Sequence, residues 1–282
     1  MIKTICVCGA GTMGSGIAQV AAVSGFNVIQ FDVDEGMLEK SRTNIDRALR
    51  SDVEKKRISH EDSVAAFGRI AFTDEINDCS ADIVVEAIVE KLEAKVDLFN
   101  QLAAFNSSQT IFASNTSSLS ITEIATKIKA PSRVIGMHFF NPAPVMKLVE
   151  IIKGDKTSSE VVSTVVALAR RMGKTPVVCK DSPGFIVNRV ARHFYLEALR
   201  LLEAGVADYE TIDKALEASG FKLGPFRLMD LIGMDVNYSV SKSVWEAMGK
   251  PERLEPSPLQ KTKVDAGELG RKTGKGFYEY NK

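Results

Sequence analysis

Residues 4–32 read TICVCGAGTMGSGIAQVAAVSGFNVIQFD, and this stretch limits the fold more than any other part of the chain. A β-branched run leads into Gly9-x-Gly11-x-x-Gly14, a helical pattern follows, and a second β-branched run ends at Asp32. The glycine spacing alone is weak in a chain with 20 glycines. The strand before it, the helix after it and the acid roughly 20 residues on make it specific. In that setting Gly9 turns the chain, Gly11 lets backbone approach a pyrophosphate, and Gly14 allows helix and strand to pack closely. Ala10, Thr12 and Met13 complete the turn, whose N–H groups face the phosphates, and Asp32 accepts hydrogen bonds from an adenosine ribose. A carboxylate there repels a 2′-phosphate, which favours NAD over NADP. A flavin dinucleotide satisfies the same fingerprint.

The expected fold class is α/β. Six β-branched runs alternate with helical patterns over the first 180 residues, as in a mostly parallel, doubly wound sheet of Rossmann type. They are IKTICVC, NVIQFDV, ADIVVEAIV, TIFASN, RVIGMHFF and KLVEIIKG. The charged segment from Glu35 to Phe67 is too long for a simple crossover and reads as a helical hairpin projecting from the sheet. After the turn-rich DSPGF the texture becomes helical, with a long amphipathic helix running to Gly205. A chain of 282 residues suits one large and one smaller unit. The expected division is a dinucleotide-binding domain over 1–183 and a smaller all-α domain for substrate and dimerisation over 184–282.

Bulk properties narrow the function by exclusion. The 36 basic and 36 acidic residues cancel, so no global field recruits nucleic acid or an anionic membrane. Cys6, Cys8, Cys79 and Cys179 form no C-x-x-C pair, and Cys6 and Cys8 share one face of a strand as buried thiols would. No apolar run nears the roughly 20 residues of a membrane span, and MIKTICVCGAG lacks the layout of a secretory signal. A cytoplasmic protein without a metal site is expected.

The chemistry concentrates in two stretches. In ASNTSSLSITEIA, the Ser120-x-x-Glu123 spacing of a capping box starts a helix and leaves Asn115, Thr116 and Ser117 in the loop leaving a strand. Parallel sheets bind ligands at that edge, although a serine there also suits plain turn chemistry. RVIGMHFFNP runs out at Asn141-Pro142 and places His138 near the same edge. Strand alternation then sets Glu150 on an apolar face with Met146, Leu148 and Ile152. A carboxylate there is costly unless paired, and an imidazole is the natural partner. Such a pair beside a nicotinamide is acid–base machinery for hydride transfer. His60 and His193 sit in helical, charged surroundings and have no such setting.

Together GAGTMG, SNTSSLSIT, GMHFFNPAPVMKLVEII, SPGFIVNR and GRKTGKGFY closely resemble the short-chain (S)-3-hydroxyacyl-CoA dehydrogenase family, nearest its bacterial 3-hydroxybutyryl-CoA branch. The resemblance covers essentially the whole chain. It implies a homodimer that interconverts an (S)-3-hydroxyacyl-CoA and a 3-oxoacyl-CoA, acetoacetyl-CoA for the four-carbon case, with NAD as cofactor. By motif, His138 matches the general acid/base, Glu150 the acid that orients and charges it, and Ser117 the serine that bonds the reacting oxygen near the nicotinamide. Asn188 matches an asparagine that holds substrate, and Glu90, Lys95, Asn141 and Lys272 match cofactor contacts. For coenzyme A, relatives carry a serine and a lysine on the helical excursion. The lysine corresponds to Lys55, but the serine position falls on Ala48, a departure from the family pattern. Lys55, Lys56 and Arg57 still offer charge suited to phosphates. Two rival readings stay open: a hydroxy-acid or sugar-acid dehydrogenase that uses no coenzyme A, and a non-catalytic dinucleotide-binding protein. An intact Ser117–His138–Glu150–Asn188 set argues against the second.

Overall fold

The structure is a computed structural model and describes residues 2–280. The chain divides into two compact units, Met1–Asp181 and Ser182–Lys282.

The first unit is an eight-stranded sheet with helices in its crossovers. In chain order it runs β1 (Thr4–Cys8), α1 (Thr12–Val23), β2 (Asn27–Phe31), α2 (Glu35–Glu54), α3 (His60–Gly68), β3 (Ile70–Thr73), β4 (Ile83–Glu86) and α4 (Leu92–Phe105). It continues through β5 (Ile111–Ser114), α5 (Ile121–Thr126), β6 (Val134–Phe139), β7 (Leu148–Lys153), α6 (Ser159–Arg171) and β8 (Thr175–Lys180). The strand order is β3-β2-β1-β4-β5-β6-β7-β8, parallel throughout except for the antiparallel β6–β7 pair. The chain winds outward from β1 to β3, then restarts on the other side of β1 with β4. Between β1 and β4 the winding reverses, and that is where open α/β sheets hold ligands.

Both faces of this sheet are covered, which is why its central strands are apolar on alternate and on successive residues. Ile5, Val7 and Ala113 point into one core with Ile17 of α1 and Val165 of α6. Phe112, the neighbour of Ala113, points the other way and meets Phe99 of α4 at 5.4 Å between ring centroids.

Three expectations need correction. β3 and β8 were not among the six expected strands. The excursion is indeed a pair of helices, but it does not simply project. Leu38, Ser41, Ile45 and Leu49 form a buried face of α2, and Ile45, Leu49 and Ala66 of α3 enter the same core as α1. Finally, Met146 lies before β7 and is exposed, so the face it was expected to share with Glu150 begins only at Leu148.

The second unit holds α7 (Val187–Glu203), α8 (Tyr209–Ala218), α9 (Pro225–Ile232), α10 (Met234–Ala247) and α11 (Pro258–Asp265). α7 buries Tyr195, Leu196 and Leu199 against Ile212, Phe226 and Met229. The glycine-rich stretch GRKTGKGFY is folded into this unit. Buried Asp230 accepts the N–H groups of Phe277 and Tyr278, each at 2.9 Å. No helix among the described residues is long and apolar enough to cross a membrane.

Candidate active site

The glycine turn is built for close approach. A Cβ on Gly9 would lie 2.5 Å from the Ala87 carbonyl oxygen, and one on Gly14 would lie 1.8 Å from that of Gly9. Both contacts are impossible, so helix α1 can leave β1 at this angle only with glycine at these two positions. Gly11 differs, because a Cβ there would meet nothing within 4 Å. The space beside it is open for a ligand rather than filled by protein. α1 begins without a side-chain cap and without an acid in its first turn. The N–H groups of its first turn therefore remain available to an anion. Asp32 follows β2, and its Oδ2 accepts the Ala10 N–H at 2.7 Å. That bond fixes the carboxylate beside the turn. Orphan donors, an open approach and an anchored carboxylate fit the pyrophosphate and ribose of a dinucleotide.

His138 and Glu150 face each other directly across the β6–β7 ladder. Their side chains meet, with His138 Nδ1 at 2.8 Å from Glu150 Oε2. His138 is 6% exposed and Glu150 1%. A carboxylate only accepts, so in the neutral ring Nδ1 carries the proton of this bond and Nε2 is the basic nitrogen. Phe140 packs on the imidazole, with ring centroids 4.5 Å apart. β7 reverses against β6 after a short connection, and this brings residues 12 apart in sequence into register. Nearby on β8, burial pushes the Cys179 thiol up to about 11, helped by the charges of Glu150 and Asp181, so it is no nucleophile at neutral pH.

Ser117 follows β5, whose Ser114 pairs with Gly136 of β6, so its loop leaves the sheet at the edge where His138 sits. A polar network holds that loop. Glu90 Oε1 accepts from the Thr116 hydroxyl at 2.5 Å, the Ser117 N–H at 2.9 Å and the Ser118 N–H at 3.2 Å. Behind it Lys95, 1% exposed, places Nζ 3.0 Å from Glu90 and 2.6 Å from Glu86, which is fully buried. Glu86 also accepts from the Ser114 hydroxyl at 2.6 Å. Desolvation alone would push the Glu90 carboxyl up. The charge of Lys95 and the donors around it outweigh this and hold it below the usual carboxylate range. Asn115 Oδ1 accepts the Phe139 N–H at 2.8 Å, tying the β5 loop to the end of β6. Sequence reasoning passed over Glu86 although the signal was present: IVVEAIV buries an acid in an apolar run, as the strand of Glu150 does.

The remaining sequence-derived residues are more dispersed. Asn141 follows β6 in the first unit, whereas Asn188, near the start of α7, and Lys272 belong to the second. Lys272 Nζ binds both carboxylate oxygens of Asp235, at 2.5 and 2.7 Å, and is not a loose solvated charge. Lys55 caps α2 and, with Lys56, is exposed, while Arg57 pairs with Asp52 at 3.1 Å.

Known proteins share this architecture end to end. The family model for the NAD binding domain of 3-hydroxyacyl-CoA dehydrogenase matches residues 4–182, and that for its C-terminal domain matches residues 184–280. The 3-hydroxyadipyl-CoA dehydrogenase of Escherichia coli is 46% identical over 99% of this chain, which spans only 59% of that relative's length. A probable 3-hydroxybutyryl-CoA dehydrogenase of Bacillus subtilis is 44% identical, covering 99% of this chain and 98% of its own. The crystal structure of (S)-3-hydroxybutyryl-CoA dehydrogenase from Ralstonia eutropha superposes with a TM-score of 0.96 at 39% identity, covering both chains completely. Both units of the chain therefore belong to the 3-hydroxyacyl-CoA dehydrogenase family, with that family's NAD-binding domain in the first.

Proposed function

We propose that the protein catalyses the NAD-linked, reversible oxidation of (S)-3-hydroxyacyl-CoA to 3-oxoacyl-CoA, with 3-hydroxybutyryl-CoA and acetoacetyl-CoA as the four-carbon pair. The observation that carries this reading is the buried His138–Glu150 pair at the sheet edge that also presents the Ser117 loop. NAD, held by the glycine turn and Asp32, supplies the hydride acceptor at the substrate's C3. His138 Nε2 takes the proton of the C3 hydroxyl in oxidation and returns it to the oxygen in reduction. Glu150 keeps the proton on Nδ1 and balances the imidazolium while it exists. The Ser117 hydroxyl holds the reacting oxygen, and Asn188 contributes to holding substrate. The deciding assay compares NADH oxidation with acetoacetyl-CoA and with free acetoacetate. Equal kcat/KM for the two would defeat the thioester reading in favour of a simpler hydroxy-acid dehydrogenase.

Asp32 sets a second expectation. NADH should be preferred to NADPH, and Asp32→Asn should narrow the preference by about tenfold, roughly 1.4 kcal/mol. The amide oxygen can still accept the Ala10 N–H, so the turn keeps its anchor while the charge is lost. Equal kcat/KM for the two reduced cofactors in the unmodified protein rules this role out.

The free cysteines suit a reducing cytoplasm. Exposed Val190, Phe221, Leu231, Ile232 and Val236 on the second unit suit a homodimer, for which a monomeric sedimentation coefficient would be the contrary result.

A further inference from the structure

Residues 140–147 connect β6 to β7 and carry the chain from His138 past Asn141 to the strand of Glu150. Within this connection the N–H groups of Val145 and Met146 both donate to the Pro142 carbonyl, each at 3.0 Å. The carbonyls of Ala143 and Met146 receive no N–H from the described backbone. Their donor is Lys174, whose Nζ lies 2.5 Å from the Ala143 oxygen and 2.9 Å from that of Met146. Ala143 is 2% exposed, so without the ammonium its carbonyl would be a buried acceptor lacking a partner.

Lys174 follows Gly173, whose φ of +68° turns the chain out of α6 and toward β8. Its side chain is buried and pairs with no carboxylate among the described residues. Burial and the charge of Lys147 lower its pKa. A cation in such a place costs stability, and an apolar residue would pack there at less cost. What the ammonium supplies is a fixed position for two carbonyls. The connection also has a second seat. A Cβ on Gly16 of α1 would lie 3.1 Å from the Ala143 Cβ and 3.2 Å from the Pro144 Cδ, so the connection rests directly on the helix that follows the glycine turn. Asn141, Pro142 and Ala143 then form one wall of the space beside Ala10, Gly11 and Thr12. Lys174 and Gly16 thus touch one short segment, and that segment borders the dinucleotide turn.

We propose that Lys174 is a positioning residue for the dinucleotide, an assignment that rests on NAD lying at the glycine turn with Asn141 as a contact. Its ammonium binds the Ala143 and Met146 carbonyls and keeps the connection seated on Gly16. The seat sets where Asn141 stands relative to the glycine turn. Lys174 acts through the connection and not by touching the cofactor.

The test is NADH affinity, read by fluorescence titration of the whole protein without any acyl substrate, so it does not depend on the acyl-CoA reading. Lys174→Met fills the volume of the lysine stem and removes its donors. It should raise the Kd for NADH by about tenfold, the scale on which groups sharing one network affect each other. A role in stability alone would lower the melting temperature and leave that Kd where it was. Gly16→Ala adds one methyl group against Ala143 and Pro144, in a helix that alanine favours. It should weaken NADH binding similarly, with no loss of melting temperature. Both changes unseat the same segment, so the double variant should bind NADH about tenfold more weakly than the unmodified protein, and not about a hundredfold as independent sites would require. Lys174→Gln, which keeps one amide donor, replaces Lys174→Met should that variant not fold, with a smaller rise in Kd expected. Folded variants at Lys174 that keep the Kd, or effects that multiply in the double variant, overturn the positioning role. Unmodified protein that does not bind NADH overturns the cofactor reading and this assignment together.

Discussion

Glu150→Gln should lower turnover by roughly 10²- to 10⁴-fold, or about 3 to 5 kcal/mol of barrier, while leaving the fold intact. Glutamine nearly matches the shape of the acid, so the β6–β7 ladder and the packing around it have no reason to change. What changes is the charge 2.8 Å from His138 Nδ1. An amide cannot balance an imidazolium, and it can also donate to Nδ1, which would move the ring proton to Nε2, the wrong nitrogen for a base. Turnover measured in both directions, with circular dichroism as a check on folding, decides the matter. A folded variant with near-normal turnover would make Glu150 a packing residue.

This pair was legible in the sequence because both of its determinants are local. Alternation along Leu148–Lys153 fixed the face of Glu150, and consecutive strands are good candidates to pair. The alternation was extended one step too far, to Met146, because the connection before β7 continues the apolar pattern without being strand. The glycine turn was legible for the same reason, since strand, turn, helix and acid all lie within residues 4–32. β8 was missed because TPVVCK is largely exposed and contains a proline, so neither alternation nor a buried run marks it as a strand. The packing of α2 was missed because its charges dominate the reading, while the four buried positions on one face appear only once α1 is there to meet them. The network behind Ser117 needs the adjacency of β4 and β5, which no local pattern supplies.

That network yields the other large effect, expected of Lys95→Met. The family resemblance assigns Lys95 to the cofactor, but in this structure its ammonium lies against Glu86 and Glu90 with almost no exposure. Removing one partner of a buried ion pair leaves an uncompensated charge, at a cost of about 3–5 kcal/mol. Glu86 is the group so stranded, being fully buried, whereas Glu90 is partly exposed and contributes less. For a domain of this size, the loss corresponds to a melting temperature roughly 10 °C lower or more at neutral pH. Methionine fills the volume of the lysine stem, so a cavity adds little. The effect also has a pH signature. The Glu90 carboxyl is held low in the folded protein, so its contribution to stability is present above the ordinary carboxylate range and is lost as pH falls through its folded value. Part of that contribution comes from Lys95, and the variant lacks that part at every pH. The gap in melting temperature should thus be widest near neutrality and narrow in acid. Activity should fall too, because Glu90 would no longer be steadied as it holds the Thr116–Ser118 backbone. That loss should appear in kcat as well as in KM for NAD. If Lys95 instead acts only by touching the cofactor, Lys95→Met would melt with the unmodified protein at every pH and change KM for NAD alone.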